Sequence, residues 1–221
     1  MTHEFLTIEE TASALRVSTR HARRLADSGA VTRISRGLVD RASVDRFLLS
    51  KRQGRTRAWA ERTAWGAVAI LSGRDAEWLG ATQASRLRST LREIYDADEL
   101  LTRMRDRAQV HTFAAHRAAL PRLRRQIASA NLRLLGITDA VDDSVDGYLA
   151  ESDLDHVVHT LGLRADVVGP VVLRTTRFDV GRVHDLVATS TVAALDAATS
   201  TDPRLRGAGH RSLAALLEAY R

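Results

Sequence analysis

At 221 residues, with 44% apolar and 27% charged residues, the chain can bury real cores and hold one large domain or two to three small ones. It has no cysteine, which excludes a disulfide framework and a thiolate-bound zinc, and no stretch approaches the ~18 uninterrupted apolar residues of a membrane helix. The net charge of +6 is uneven: residues 1–65 carry 13 Lys/Arg against 7 Asp/Glu, residues 66–137 carry 12 against 7, and residues 138–221 carry 8 against 13. A basic front with an acidic tail suits a head that binds a polyanion. The opening MTHEFLTIEE has acids and lacks the basic and apolar regions of a secretory signal, so a cytoplasmic, nucleoid-associated location is expected.

Thr7 and Glu10 form a T-x-x-E capping box, in which hydroxyl and carboxylate each satisfy a free backbone N–H at a helix start. Ile8, Ala12 and Leu15 follow on one face at helical spacing. Arg16 and Val17 make a turn, and Ser18 caps a second helix, STRHARRLADSG, that stops at Gly29. Ala22 and Leu25 point inward, while Thr19, Arg20, His21, Arg23 and Arg24 point outward. The spacing next predicts a strand over 31–34, a tight turn at Ser35-Arg36-Gly37 and a return strand over 38–40. Asp40 then caps a third helix, whose Val44, Phe47 and Leu48 close a small core.

A helix, a turn, an Arg-rich helix and a basic ribbon, in that order, give a second helix shaped for a DNA major groove. Its first turn meets base edges, and Arg is the side chain best suited to guanine O6 and N7. Ser18, Thr19, Arg20 and His21 are therefore the expected cap and base contacts, with Arg23, Arg24, Arg33 and Arg36 on the backbone or at the minor groove. The stretch Phe5–Leu49 resembles the winged-helix head of excisionases and MerR-type regulators. The residues that match are Leu6 to Glu10, Ala12, Leu15, Val17-Ser18, the Arg-rich helix, Gly29, Arg36-Gly37, Asp40 and Val44 to Leu48. It departs at Arg16, where glycine is usual and the substitution costs up to about 1 kcal/mol if a positive φ is required. It departs again at Ala22, where a larger apolar residue is common.

Residues 50–57, SKRQGRTR, read as a polar boundary. Helices are then expected over Ala58–Leu71, after Thr82 (Leu87, Leu91, Ile94) and around Leu100, Leu101 and Met104. Trp59, Trp65 and Trp78 are expected in packing rather than base stacking. Val110 to Phe113 reads as a strand, and Pro121 as the first position of a helix running through RLRRQIASANLRLL. In the tail, Gly147-Tyr148-Leu149 and Val171 to Thr175 read as strands, and Ser152 as the cap of DLDHVVHTL. Two more helices, TSTVAALDAAT and RLRGAGHRSLAALLEAY, complete the chain. The expected class is α+β and mainly helical, with a winged helix-turn-helix over 1–52, a mainly helical middle over 53–136 and a mixed α+β C-terminal domain over 137–221.

The tail resembles AbiEi-type antitoxins of type IV toxin–antitoxin systems at Gly147 to Leu149, Asp153 to Asp155, Val171 to Arg174, Val192 to Asp196, Asp202 to Arg204 and Gly209. That resemblance implies a repressor of its own operon that opposes a nucleotidyltransferase-like toxin, a cognate toxin being the implied partner.

Asp153 and Asp155 have the D-x-D form of a Mg²⁺ pair, but they follow Ser152, where acids offset a helix dipole. His156 with His159, and His111 with His116, lack acidic or cysteine company for a metal. Asp142, Asp143 and Asp146 lack the bidentate Glu of a calcium loop. No phosphate-cradling glycine loop or nucleophile elbow is present, so no enzyme, cofactor, catalytic residue or metal is expected. The expected partner is double-stranded DNA with repeated half-sites, engaged by two heads through self-association on the DNA, and no membrane. Two alternatives stay open: an excisionase-like protein that bends DNA, and a toxin-neutralising protein for which DNA binding is secondary.

Overall fold

Thr7 and Glu10 start the first helix as their spacing requires. The Thr7 backbone N–H donates to Glu10 Oε2 at 2.8 Å, and the Glu10 N–H donates to Thr7 Oγ1 at 3.2 Å. In this computed structural model, which describes residues 5–15, 17–27, 31–35, 37–41, 43–45, 57–138, 143–167 and 169–221, the chain falls into two compact units, 1–57 and 58–221. It is α+β and mainly helical.

The first unit, the head, runs β1 (Phe5–Thr7), α1 (Ile8–Leu15), α2 (Thr19–Asp27), β2 (Arg33–Ser35) and β3 (Leu38–Asp40). Its strands form an antiparallel sheet in the order β1-β3-β2, with Leu6 opposite Val39. The core is Ile8, Ala12, Leu15, Ala22, Ala26, Val31, Val39 and Val44, and Leu6, Val17 and Leu25 pack against it. β1 was not expected from the sequence; it supplies the third strand that covers β3. Asp40 Oδ2 accepts from the Ser43 N–H at 2.9 Å, opening the helical residues 43–45. Arg16, Gly29, Arg36, Phe47, Leu48 and the boundary at 50–56 lie outside the described residues.

The second unit, the body, is built on a four-stranded sheet. Its elements are α3 (Glu61–Leu71), α4 (Ala81–Glu93), α5 (Ala97–Met104), β4 (Gln109–Ala114), α6 (Leu120–Arg124), β5 (Val145–Ala150), α7 (Leu154–Leu161), β6 (Arg164–Ala165), β7 (Val171–Thr176), α8 (Val180–Val187), α9 (Ser190–Ala198) and α10 (Pro203–Tyr220). The strand order is β5-β7-β4-β6, with β5 parallel to β7 and β4 antiparallel to both of its neighbours. Alternate residues separate two cores. Val145, Leu149, Val171 and Leu173 pack with Leu120, Leu123, Val157 and Leu161, and Tyr148 joins the larger helical core on the other face. In that larger core Trp65 is fully buried, and Trp59 and Trp78 pack at its margin.

Middle and tail are thus one unit, not the two domains expected. β4, from the middle, lies between β7 and β6, because backbone groups at a sheet edge need partners. Leu213 and Leu217 share a core with Trp65 and Leu91. The long helix expected from Pro121 ends at Arg124. Ala128 instead exchanges two backbone hydrogen bonds with Tyr148, at 2.8 and 3.0 Å, which diverts the chain along β5, and residues 132–135 form a separate 3-10 turn. Ser152 does not cap α7: its hydroxyl bonds Asp153 Oδ1 at 3.0 Å, and residues 151–153 form a 3-10 turn. The helix α8, capped by Asp179, went unread in the sequence.

Between sheet and helices lies a buried polar network. Arg107 Nη2 donates to Asp196 Oδ1 at 2.6 Å and its Nε donates to the Tyr148 hydroxyl at 3.2 Å, while that hydroxyl donates to Asp196 Oδ1 at 2.7 Å. Arg174, opposite Tyr148 in the parallel pair, grips Asp146 with two bonds of 2.7 and 2.8 Å and stands 3.6 Å from Asp196. Burial alone would lower the pKa of Arg174, but Asp196 and Asp146 hold it well above its ordinary value. Burial also lifts the Tyr148 phenol, which stays a donor.

Candidate nucleic-acid interface

The candidate site is built on α2. The Val17 N–H closes α1 by donating to the Ala12 carbonyl at 3.0 Å, and Ser18 Oγ then accepts from the His21 N–H at 3.2 Å. Ser18 is thus the cap its position predicted. Ala22 and Ala26 are buried, and Leu25 packs inward beside them. That stripe fixes the rotation of the helix. Thr19, Arg20, Arg23 and Arg24 are exposed, and His21 is half-buried. At helical spacing Arg20, Arg23, Arg24 and Asp27 share the face opposite the buried alanines.

Two further contacts shape this face. Arg24 Nη2 and His21 Nδ1 are 3.0 Å apart, so the guanidinium lies along the helix toward its N-terminal turn. Arg33, at the start of β2, pairs with Asp27 at the end of α2. Arg33 was expected at a phosphate, yet here its charge is engaged by a carboxylate. The pairing has a consequence for the interface, since Asp27 is the one acid on the outward face of α2 and Arg33 offsets it. Neither residue signals this in the sequence: they are six apart and belong to different elements. Arg36, also expected at the interface, lies outside the described residues.

The first turn of α2 carries no acid, so the positive end of its dipole is unscreened. Ile8, Glu9, Arg23, Arg33 and Gly37 line an open hollow of about 420 Å³ within the head. The head as a whole holds 12 Lys/Arg against 6 Asp/Glu, a surplus of six, whereas the body holds 21 of each. The entire net charge of the chain therefore belongs to the unit that carries α2.

The remaining candidate side chains lie in the body. Asp153 and Asp155 are exposed at the start of α7. His111 bonds the Thr175 hydroxyl at 3.1 Å, and His116 caps a 3-10 turn through the Ala118 N–H at 3.2 Å. A second hollow, of about 280 Å³, is lined by Glu61, Asp106, Gln109, Glu151, Thr175 and Arg177. Its charges have partners: Arg177 pairs with Glu151, Glu61 accepts from the Arg177 N–H at 2.9 Å, and Asp106 lies 3.7 Å from Arg105. Among the described residues no group of three or more His, Asp or Glu side chains could hold a metal, and no helix is long and apolar enough to cross a membrane.

Comparison with protein-family models, with curated proteins and with solved structures finds no match to this chain.

Proposed function

We propose that the chain is a sequence-specific DNA-binding transcriptional regulator. Its head would be a winged helix-turn-helix with α2 as the recognition helix. The reading is supported by one observation above all: Arg20, Arg23 and Arg24 are exposed together on the side of a capped helix opposite its buried alanines. Arg20, with Thr19 and His21, reads base edges from the first turns, while Arg23 and Arg24 hold phosphates. The unscreened dipole and the head's surplus of positive charge draw the same polyanion toward that end. One head spans few base pairs, so specificity calls for two heads on repeated half-sites. Taken with the tail's resemblance to antitoxins, the regulator represses its own operon, and the body serves a cognate toxin or another regulatory partner.

The test is binding of the full chain to its own promoter and to random DNA of equal length. Arg20→Ala should cost about 1–3 kcal/mol on the promoter and clearly less on random DNA. Equal losses on the two sequences remove the base-reading role, and absence of any promoter preference in the wild type removes the regulator.

A further inference from the structure

We infer that the body carries a second, sequence-independent contact for the DNA phosphate backbone, on the surface around α6. The inference rests on the regulator reading for its partner but not for its geometry. Residues 107–138 contain six arginines and two histidines and not one Asp or Glu, whereas the rest of the unit holds 15 Arg against 21 Asp/Glu. Arg107 is consumed in the buried network. The other five arginines, at 117, 122, 124, 125 and 133, are all exposed.

The local fold explains why they stay on the outside. Leu120 and Leu123 bury one side of α6, which leaves Arg122 and Arg125, three residues apart, exposed on neighbouring turns. Arg117 and Arg124 converge beside them: Arg117 Nη2 lies 3.0 Å from Asp143, and Arg124 Nη2 donates to the next residue's carbonyl, Ser144, at 3.1 Å. Asp143 thus offsets the charge of Arg117, and Asp139 and Asp142 lie outside the described residues. Among the described residues Arg122 and Arg125 enter no ion pair. The exposed side chains that follow, Gln126, Ser129 and Asn131, are uncharged groups of the kind that bond phosphate oxygens.

A backbone contact of this type releases counterions, so it is read in the salt dependence of binding. The experiment uses the full chain on a random-sequence duplex of about 40 base pairs. Arg122→Ala with Arg125→Ala should flatten the slope of log affinity against log salt by about 1.8, since each lost phosphate contact removes ~0.9. Between about 50 and 200 mM salt the variant should lose roughly twelvefold less affinity than the wild type. Arg86→Ala with Arg92→Ala removes the same charge from exposed positions on α4 and should leave the slope unchanged. An unaltered slope in the first variant overturns the contact, as does an equal change in both variants, which would reduce it to net charge. Because the duplex has no cognate site, loss of promoter preference, which would sink the regulator, leaves this result readable by itself.

Discussion

In the head, Arg20, Arg23 and Arg24 stand in solvent on one helix, whereas in the body Arg107 and Arg174 lie inside, each held by a carboxylate. The same side chain therefore has two fates, and desolvation decides between them. A guanidinium left in water keeps its charge for a partner that arrives later, at little cost to folding. One taken into the interior must find its counter-charge there, because an unpaired buried ion costs several kcal/mol. Arg107 finds its counter-charge in the buried Asp196, and Arg174 lies between Asp196 and the exposed Asp146, which leaves neither guanidinium anything to offer outside. On the proposed reading the binding surface is then the head and the outer arginines around α6, while the interior pairs hold sheet and helices in register.

The sharpest way to break this comparison is to remove the shared carboxylate. Asp196→Ala would leave Arg107 without its ion pair and deprive the Tyr148 hydroxyl of its acceptor. The expected loss is about 3–5 kcal/mol, the range for uncovering a buried charge. It should be seen as a lower urea midpoint for the body, while the affinity of the head for DNA at low urea stays the same. A loss under about 1 kcal/mol would mean that water reaches Arg107, and that the interior pairs resemble surface ones.

How much of this was legible in the sequence depends on whether partners are near in the chain. The capping box at Thr7 and Glu10, the cap at Ser18 and the buried stripe through Ala22 are local patterns, and they are present as read. The outward arginines of α2 follow from that stripe alone. What escaped reading are partners far apart in the chain. Asp27 with Arg33 joins two elements, Arg107 reaches Asp196 across 89 positions, and β4 pairs with β7 across 58 to 66 positions. The border expected near residue 136 failed for the same reason, since a change of texture along the chain says nothing about which segments share a core. The one local sign of the interior pairs was Arg174 within the apolar run Val171 to Thr176, a strand covered on both faces.

A milder change tests the head's dependence on local signals. Thr7→Ala removes the acceptor for the Glu10 N–H, and it should destabilise the head by about 1 kcal/mol. Amide exchange in α1 should quicken correspondingly, while exchange in β7 of the body stays as it was. If both units respond together, they unfold as one cooperative body, and the division at residue 57 has no energetic meaning.

The smallest effect belongs to a surface pair that sits between the two fates. Glu151 and Arg177 are joined by two bonds, one of them at 2.8 Å, at the rim of the body's hollow. The bond from Arg177 holds the Glu151 carboxyl below its ordinary value. A carboxyl whose pKa is lower folded than unfolded adds stability above its unfolded value, and that contribution drains away as the pH falls through the folded one. The wild type should therefore exceed Glu151→Gln slightly in stability at neutral pH, and the gap should close in the acid range below the normal glutamate titration. Solvent screening keeps the gap small, and added salt should shrink it further. A gap that persists in acid would show that Glu151 acts through packing and not through its charge, which would place it with the interior network instead of with the wet arginines of α2.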